Sequence, residues 1–407
     1  MASASNDGAR AEPFPPVGPE RMPDGTTGGG GSVQTKDGVS VDVERVQSGV
    51  ERKRGQWFRY IRTREFWLVL LFGQILALCI VGTNTFSSLL TEAGANIPAF
   101  QTFFNYVLLN AVWTTITVYK YGAKGWWEMF KTQGWRYAIL SFCDVEGNYF
   151  TVLGFRYTTI LSAQLINFWA IVVVVIISFL FMKVRYGWPQ VAGIVTCVAG
   201  MGLLLASDHI THASDFPAEN QLKGDLFALL GATCYGFSNV LQEWLVSKRP
   251  LYEVVGMIGF WGMLINGVQA AIFDRESFRA AVKVYKPAIG GYIAGFDLLL
   301  CIFYSIAPLV FRMGSAAFLN ISLLTGNFWG TIVGIHVFHL KVHWMYPVAF
   351  VLIVLGLFVY FALDGELGEA EKPWLGEGQV GGVDGVGTAR RRLERDARRE
   401  GSEGDEA

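Results

Sequence analysis

Ten stretches of predominantly apolar residues, each about 20 residues long, occupy the middle of this 407-residue chain. A helix of about 20 apolar residues is long enough to cross the hydrocarbon core of a bilayer. The chain is 52% hydrophobic and only 16% charged, which is more apolar than an ordinary soluble domain. We therefore expect an all-α integral membrane protein with ten transmembrane helices, over residues 66–90, 99–119, 137–155, 160–182, 188–206, 225–246, 252–273, 288–310, 315–338 and 344–363.

The two ends of the chain differ in composition from its middle. Residues 1–65 are rich in Gly, Pro, Ser and Asp and lack the features of a secretory signal, so they predict a disordered N-terminal tail. Residues 365–407 predict a charged C-terminal tail. The formal net charge of −1 and the lack of a basic domain with interleaved aromatics argue against a nucleic-acid partner.

The distribution of Lys and Arg predicts the orientation of the spans. Short cytosolic loops are enriched in these residues, and a basic cluster from Arg52 to Arg64 precedes the first span. Both termini and the basic loop 120–136 are therefore expected in the cytosol. The basic segment 274–286 falls on the opposite side, and we interpret it as an amphipathic stretch in the membrane interface.

An internal repeat relates the first five spans to the last five, at a shift of about 155 residues. The matching pairs include Phe72 with Phe227, Ala77 with Ala232, Cys79 with Cys234, Asn84 with Asn239, Phe155 with Phe311, Asn167 with Asn327 and Trp188 with Trp344. The repeats cover residues 66–208 and 209–364. Because five is an odd number, the second copy enters the membrane from the opposite side, which gives an inverted pair typical of secondary transporters. Such a pair encloses a cavity near the midplane that can open alternately to either side.

Acidic side chains inside the spans are candidates for function, because a charge within a bilayer is costly. The third span contains Asp144 and Glu146, and the eighth span, its repeat counterpart, contains Asp297. At 100° per residue, Asp144 lies on a polar face suited to line a cavity, whereas Glu146 lies on a mostly apolar stripe. We predict that Glu146, first of all, and Asp297 bind substrate, and that all three acids are coupling candidates. The alternatives are that Asp144 lies near the cytosolic interface, that Glu146 satisfies a neighbouring helix and that Asp297 pairs with a Tyr hydroxyl or a backbone group.

Uncharged amides complete the predicted substrate site. Gln164 and Asn167 share a face of the fourth span, and Asn320 and Asn327 lie on a similar stripe of the ninth. These groups offer hydrogen bonds without charge. Amides of this kind also join helices to one another, so an interhelical role is the alternative for each of them.

Several other patterns are weaker. The groups His336, His339, His343 and His209, His212 raise a transition-metal carrier as an alternative, but no Cys or carboxylate completes either set, so we predict no metal site. The five cysteines lie inside apolar runs and are expected as small core residues. Nucleotide-binding and hydrolase motifs are missing from the spans, so we expect neither an enzyme nor a cofactor.

Short motifs in both halves carry a resemblance to a known family. Asp144-Val-Glu-Gly-Asn-Tyr149, Tyr157-Thr-Thr, Ser162-Ala-Gln-Leu165 and Tyr304-Ser-Ile-Ala-Pro-Leu309 resemble the F subgroup of solute carrier family 35. The resemblance spans about residues 66–364 and implies the duplicated ten-helix fold of the drug/metabolite transporter superfamily. It also implies carriers of nucleobase-like, nucleoside-like or vitamin-like molecules. The chain departs from the subgroup at Asn167, where relatives carry an acid.

The sequence thus predicts a secondary transporter of a small organic solute by alternating access. The expected partners are the substrate, the lipid bilayer, protons for coupling and a second copy of the chain in a homodimer. Two alternatives stay open besides the metal carrier: a nucleotide-sugar antiporter of the endomembrane system, and a receptor or scaffold that does not transport. The sequence does not assign the membrane.

Overall fold

A computed structural model describes residues 32–34, 40–42, 64–95, 97–157, 166, 169–184, 186–210, 221–283, 287–337, 344–362, 372–376 and 382–383. Most of these residues are helical. Two short strands, β1 (Ser32–Gln34) and β2 (Ser40–Asp42), form an antiparallel hairpin. The hairpin lies within the N-terminal segment that composition predicts to be disordered, most of which is outside the described residues.

Twelve α-helices follow in the described ranges. They are α1 (Arg64–Glu92), α2 (Pro98–Leu109), α3 (Thr115–Tyr157), α4 (Trp169–Leu180), α5 (Trp188–Ile210), α6 (Gln221–Lys248), α7 (Leu251–Phe273), α8 (Arg275–Lys283), α9 (Pro287–Met313), α10 (Ala316–Leu323), α11 (Gly326–Val337) and α12 (Met345–Ala362). A π-helical turn, Asn110–Thr114, joins α2 to α3. By length and apolar character, Trp67–Glu92, Leu251–Phe273 and Pro287–Met313 are able to cross a membrane, and the fold is that of an all-helical membrane protein.

The segment 120–136, expected as a loop, is helical apart from a break. Gly122 has a φ of 73° and interrupts the helical backbone inside α3, after which the helix resumes. Trp126 and Phe130 on this part of α3 pack against Phe260, and Phe130 stacks on Trp261 with 5.4 Å between ring centroids. Burial of these rings against α7 stabilises a helix in this segment, whereas its basic residues had led us to expect a loop.

The ninth predicted span is divided into two helices, and a side chain of α1 forms hydrogen bonds at the break. Thr325, between α10 and α11, donates its hydroxyl to Ser322 O at 2.7 Å. Gln74 Nε2 in turn donates to Thr325 Oγ1 at 2.9 Å, and Trp329 Nε1 donates to Gln74 Oε1 at 3.2 Å. In an apolar environment a helix can be interrupted only where other protein groups satisfy the freed backbone and side chains. This break lies beside the cavity described below.

The helices pack in pairs. The main contacts join α3 to α6, α1 to α9, α2 to α7 and α5 to α12. In the crossing of α5 and α12, a Cβ atom on Gly193 would lie 2.6 Å from Tyr360 N and 2.7 Å from Gly356 O. A Cβ on Gly356 would lie 2.7 Å from Cys197 N. The two backbones therefore approach more closely than any larger residue at these positions allows.

We expect Gly193→Ala to destabilise the fold, because the added methyl group meets main-chain atoms that a rotamer change cannot move. Overpacking of this kind costs roughly 1–3 kcal/mol. The thermal midpoint of the purified protein in detergent should fall by several degrees. Gly202→Ala on the same helix is the matched control, since a Cβ there meets nothing within 4 Å. Equal midpoints for the two variants would show that the crossing tolerates the methyl group.

Candidate functional site

A cavity of about 180 Å³ lies between the helix pairs. Residues of α1, α3, α4, α6, α9 and α10 line it, together with Gly326 at the start of α11. Aliphatic and phenylalanine side chains supply much of the wall, and polar side chains are distributed among them. The polar lining residues are Thr83, Asn84, Ser87, Asp144, Asn148, Thr151, Tyr235, Asn239, Gln242, Tyr304 and Asn320.

Asp144 is 4% exposed and is held by hydroxyl groups from three other helices. Its Oδ2 accepts hydrogen bonds from Tyr106 at 2.8 Å and from Tyr304 at 2.5 Å. Its Oδ1 accepts a hydrogen bond from Ser238 Oγ at 3.1 Å. Each hydroxyl is placed by packing of its own helix: Tyr106, for example, fills the space left by Gly262 on α7. Hydrogen bonds to a charged acceptor are about twice as strong as those between neutral groups.

Asn148, one turn further along α3, connects the same hydroxyl groups to a third tyrosine. Its Nδ2 donates to Tyr106 Oη at 2.9 Å and to Tyr304 Oη at 2.8 Å. Its Oδ1 accepts a hydrogen bond from Tyr235 at 2.8 Å. We call Asp144, Asn148, Tyr106, Tyr235 and Tyr304 the tyrosine network. It joins α2, α3, α6 and α9, and with Ser238 on Oδ1 both carboxylate oxygens of Asp144 accept hydrogen bonds.

Other polar groups of the cavity are available to a bound solute. Thr151 Oγ1 and Gln242 Nε2 are buried and have no hydrogen-bond partner among the described residues. Asn239 Nδ2 donates to Asn320 Oδ1 at 3.2 Å, and Asn320 Nδ2 donates to Ala316 O at 2.8 Å. The cavity thus offers hydroxyl and amide groups, some free and some paired, against an apolar wall. That combination is typical of sites for small organic ligands.

A second buried polar cluster surrounds Asp297, which is 3% exposed and lies next to the cavity-lining Phe296. The Oδ1 atom of the Asp297 carboxylate has no partner within the described ranges. The amide atoms of Asn105 are likewise buried and unpartnered there. Nearby on the same helix, Thr102 Oγ1 accepts a hydrogen bond from Asn266 Nδ2 at 2.7 Å. Buried polar atoms without protein partners are places where water or an ion is expected.

The predicted site residues fall into different places. Asp144 and Asn320 line the cavity, whereas Asp297 is not among its lining residues although its neighbour Phe296 is. Glu146 is half-buried on the other side of α3, where its Oε1 accepts a hydrogen bond from Gln269 Nε2 at 2.6 Å, and it is not part of the cavity wall. A role for Glu146 in binding therefore stays a prediction without support from its position.

Three predicted amides cannot be placed. Gln164 and Asn167 lie outside the described residues, and the side chain of Asn327 on α11 does too. Among the histidines, His336 is exposed, with its Nδ1 2.9 Å from Ile332 O, while His339 and His343 are outside the described ranges. Within the described ranges, no three His, Cys, Asp or Glu side chains converge on a metal-sized site.

Sequence reasoning did not select the tyrosines. A Tyr in a span rich in Phe and Trp resembles the aromatic residues that face lipid or the interface, so composition gives no reason to prefer Tyr106, Tyr235 or Tyr304. One signal was available. Asn148 and Tyr304 are 156 residues apart, the same shift that aligns Phe155 with Phe311, so the repeat places them at corresponding positions.

The sequence of this chain is similar to a named family of transporters. A profile described as SLC35F, solute carrier family 35, matches residues 62–362. An uncharacterized solute carrier family 35 member from Schizosaccharomyces pombe is 50% identical over 332 residues, which are 82% of this chain and 65% of that protein. The chain therefore spans less than two thirds of the length of that relative. The motif-based resemblance to the F subgroup is confirmed.

Two vertebrate relatives and a solved structure extend the comparison. Solute carrier family 35 member F2 from Xenopus tropicalis is 36% identical over 75% of this chain and 79% of its own length. The Mus musculus protein of the same name is 31% identical over 78% and 84%. A crystal structure with 17% identity aligns at a TM-score of 0.54 over 74% of this chain and 98% of that chain, which indicates a shared fold. The profile match and these relatives together show that the chain belongs to solute carrier family 35, in its F group.

Proposed function

We propose that this protein is a secondary transporter that carries a small, uncharged organic solute of the nucleobase or nucleoside type by alternating access. At the level of the family it is a multi-pass membrane solute transporter and not an enzyme. The observation that carries the finer proposal is the buried cavity, in which the tyrosine network links four helices at the position a solute would occupy. Both termini in the cytosol, protons as coupling ion and a homodimer remain part of the proposal.

The helix contacts support the inverted repeat on which alternating access depends. Cys197 Sγ donates to Ile353 O at 3.5 Å, and these positions are separated by the repeat shift of 156 residues. A Cβ on Gly200 would lie 2.9 Å from Ile353 Cγ1, and a Cβ on its counterpart Gly356 would lie 2.6 Å from Cys197 Sγ. Exchange of the two halves converts the first contact into the second, as a pseudo-two-fold axis through the α5–α12 crossing requires.

The pairing of the remaining helices has the same symmetry. If the halves are exchanged, α3 on α6 becomes α9 on α1, and both contacts are extensive. The hydrogen bond between Asn148 and Tyr304 also joins counterparts, so the tyrosine network lies near the same axis. A site on this axis belongs to both halves, and a solute bound there can be exposed to either side when one half rocks against the other.

The chemistry of the wall favours an uncharged heterocycle over a nucleotide sugar. A nucleotide sugar carries a diphosphate, which proteins usually bind with Arg or Lys. Among the described residues that line the cavity, none is Lys, Arg or His. The undescribed residues 158–165 and 167–168 next to α4 add none by sequence. Phe296 and Phe303 instead offer apolar faces, and Thr151 and Gln242 offer free hydrogen-bonding atoms.

A bound solute would act on the network by hydrogen bonding. Tyr304 and Tyr235 line the cavity and also contact Asp144 and Asn148. A solute donor or acceptor that replaces one of these bonds changes the pairing between α3 and α9 or between α3 and α6. Binding energy is thereby applied to the contacts between the two halves, which is the differential interaction that a conformational change requires.

Asp144→Asn should lower the uptake efficiency of the protein, because an amide presents a donor to hydroxyl groups that now donate to a carboxylate. Hydrogen bonds to a charged group contribute about 1.5–3 kcal/mol, which corresponds to roughly 10- to 100-fold in uptake efficiency. The measurement is uptake of labelled nucleobases and nucleosides by purified protein in liposomes, with nucleotide sugars as the competing class. Glu128→Gln, on the exposed surface of α3, is the matched control.

The same assay separates the open alternatives. Uptake of a nucleotide sugar but of no uncharged heterocycle would contradict the proposed substrate class. A receptor or scaffold would show no uptake of either class, and its cellular function would survive Asp144→Asn but not removal of the tails. Loss of uptake in Glu146→Gln with normal uptake in Asp144→Asn would relocate the substrate site to the Gln269 side of α3.

Coupling to protons is proposed to run through Asp297, because its carboxylate is buried, follows the cavity-lining Phe296 along α9 and has one oxygen unpartnered in the described structure. Asp297→Asn removes the titratable group and keeps its size. We therefore expect uptake driven by a pH gradient to be lost, while exchange of labelled for unlabelled solute without a gradient continues. Gradient-driven uptake at the normal rate in Asp297→Asn would rule out this carboxylate as the coupling group.

A further inference from the structure

A short segment after α12, residues 372–376, packs against one end of the helical bundle. It contacts the last turns of α6 and α9 and the residues that lead into α10, and we call it the C-terminal segment. Lys372 is 6% exposed and Leu375 is 8% exposed, although the sequence predicts a charged tail here. Trp374 Nε1 donates to Ser247 Oγ at 2.8 Å, and Val383 N donates to Ser247 O at 3.0 Å.

Lys372 is bound by three different parts of the chain. Its Nζ forms a 2.9 Å salt bridge with Glu243 Oε1 on α6. It also donates to Phe311 O at 2.9 Å on α9 and to Gly314 O at 3.4 Å. A lysine ammonium has three protons to donate, so every donor has an acceptor here. The second carboxylate oxygen of Glu243 accepts a hydrogen bond from Ala316 N at 2.8 Å, at the start of α10.

The buried Glu243–Lys372 ion pair disfavours partial detachment of the C-terminal segment. Both side chains are more than nine-tenths buried, and a buried ion pair that loses one partner leaves an uncompensated charge. A partly detached segment is therefore unfavourable, whereas complete release returns both groups to water. We therefore expect the C-terminal segment to be either fully bound, as it is here, or fully released.

Glu243 and Ala316 lie close in sequence to Asn239 and Asn320, the two asparagines that form a hydrogen bond in the cavity wall. Glu243 is one helical turn after Asn239, and Ala316 is one turn before Asn320. Asn239 donates to Asn320 across the cavity, and Asn320 donates to Ala316 O. Glu243 and Lys372 therefore connect α6, α9 and the start of α10 next to the end of the cavity. Separation of these helices would open the cavity toward the end of the molecule where Lys248 lies.

We propose that the C-terminal segment is a latch that keeps this end of the cavity closed, and that the Glu243–Lys372 pair positions it. The inference rests on the proposed transport function, since a latch has meaning only for a cavity that opens to both sides. It assigns to a segment of the tail a role in the transport cycle, and to Glu243 and Lys372 a positioning role without contact to the solute.

The test measures access to the cavity without any solute. In a protein with its five cysteines replaced by alanine, Gln242→Cys places a thiol on the cavity wall near the latch. A membrane-impermeant maleimide is added in vesicles to the side that carries a C-terminal epitope. We expect Lys372→Gln to increase the labelling rate roughly tenfold, because the buried pair is broken. Lys124→Ala, an exposed lysine on α3, is the control and should leave the rate unchanged.

A double-mutant cycle identifies the pair itself. If Glu243 and Lys372 act together, Glu243→Gln, Lys372→Gln and the double variant should all raise labelling by a similar factor, whereas independent effects would multiply. Melting temperatures of each variant show whether the fold is retained. A folded Lys372→Gln protein labelled as slowly as the parent would overturn the latch even if uptake is normal. Faster labelling in a protein that takes up no solute would retain the latch and reject the proposed substrate instead.

Discussion

Burial of the Asp144 carboxylate away from water is the constraint around which the centre of the molecule is arranged. A carboxylate inside an apolar bundle must be surrounded by donors, and no single helix can supply them. Tyr106, Ser238 and Tyr304 bring these donors from α2, α6 and α9. These hydrogen bonds connect the four helices to one another at the cavity.

The two polar layers of the bundle have different properties. The tyrosine network is closed, since its members bond to one another, and it is suited to define a shape. The cluster around Asp297 and Asn105 is open, with several buried atoms unpartnered in the described ranges, and it is suited to take up a proton or water. At the end of the cavity, the Glu243–Lys372 salt bridge is a third polar contact and joins α6 to the C-terminal segment. In the functions proposed above, binding, coupling and closure involve three different polar clusters.

Much of the fold follows from the sequence because the bilayer imposes a simple rule on length and polarity. Every predicted span overlaps a described helix, and three of these helices are long and apolar enough to cross a membrane, whereas the count of ten spans and the internal repeat stay predictions. The site followed less well. Helical periodicity placed Asp144 on a polar face, but it could not tell that Glu146 would meet Gln269 outside the cavity, because that depends on which helix packs against each side of α3.

The sequence by itself determined the membrane character of the chain and its family, since these depend on local composition and on short motifs along the chain. Only the tertiary structure decided which polar groups meet. Tyr106, Tyr235 and Tyr304 become partners of Asp144 and Asn148 through helix packing across as many as 160 residues. Lys372 is buried for the same reason. Its acceptors lie on α6 and α9, and the composition of a charged tail does not predict contact with them.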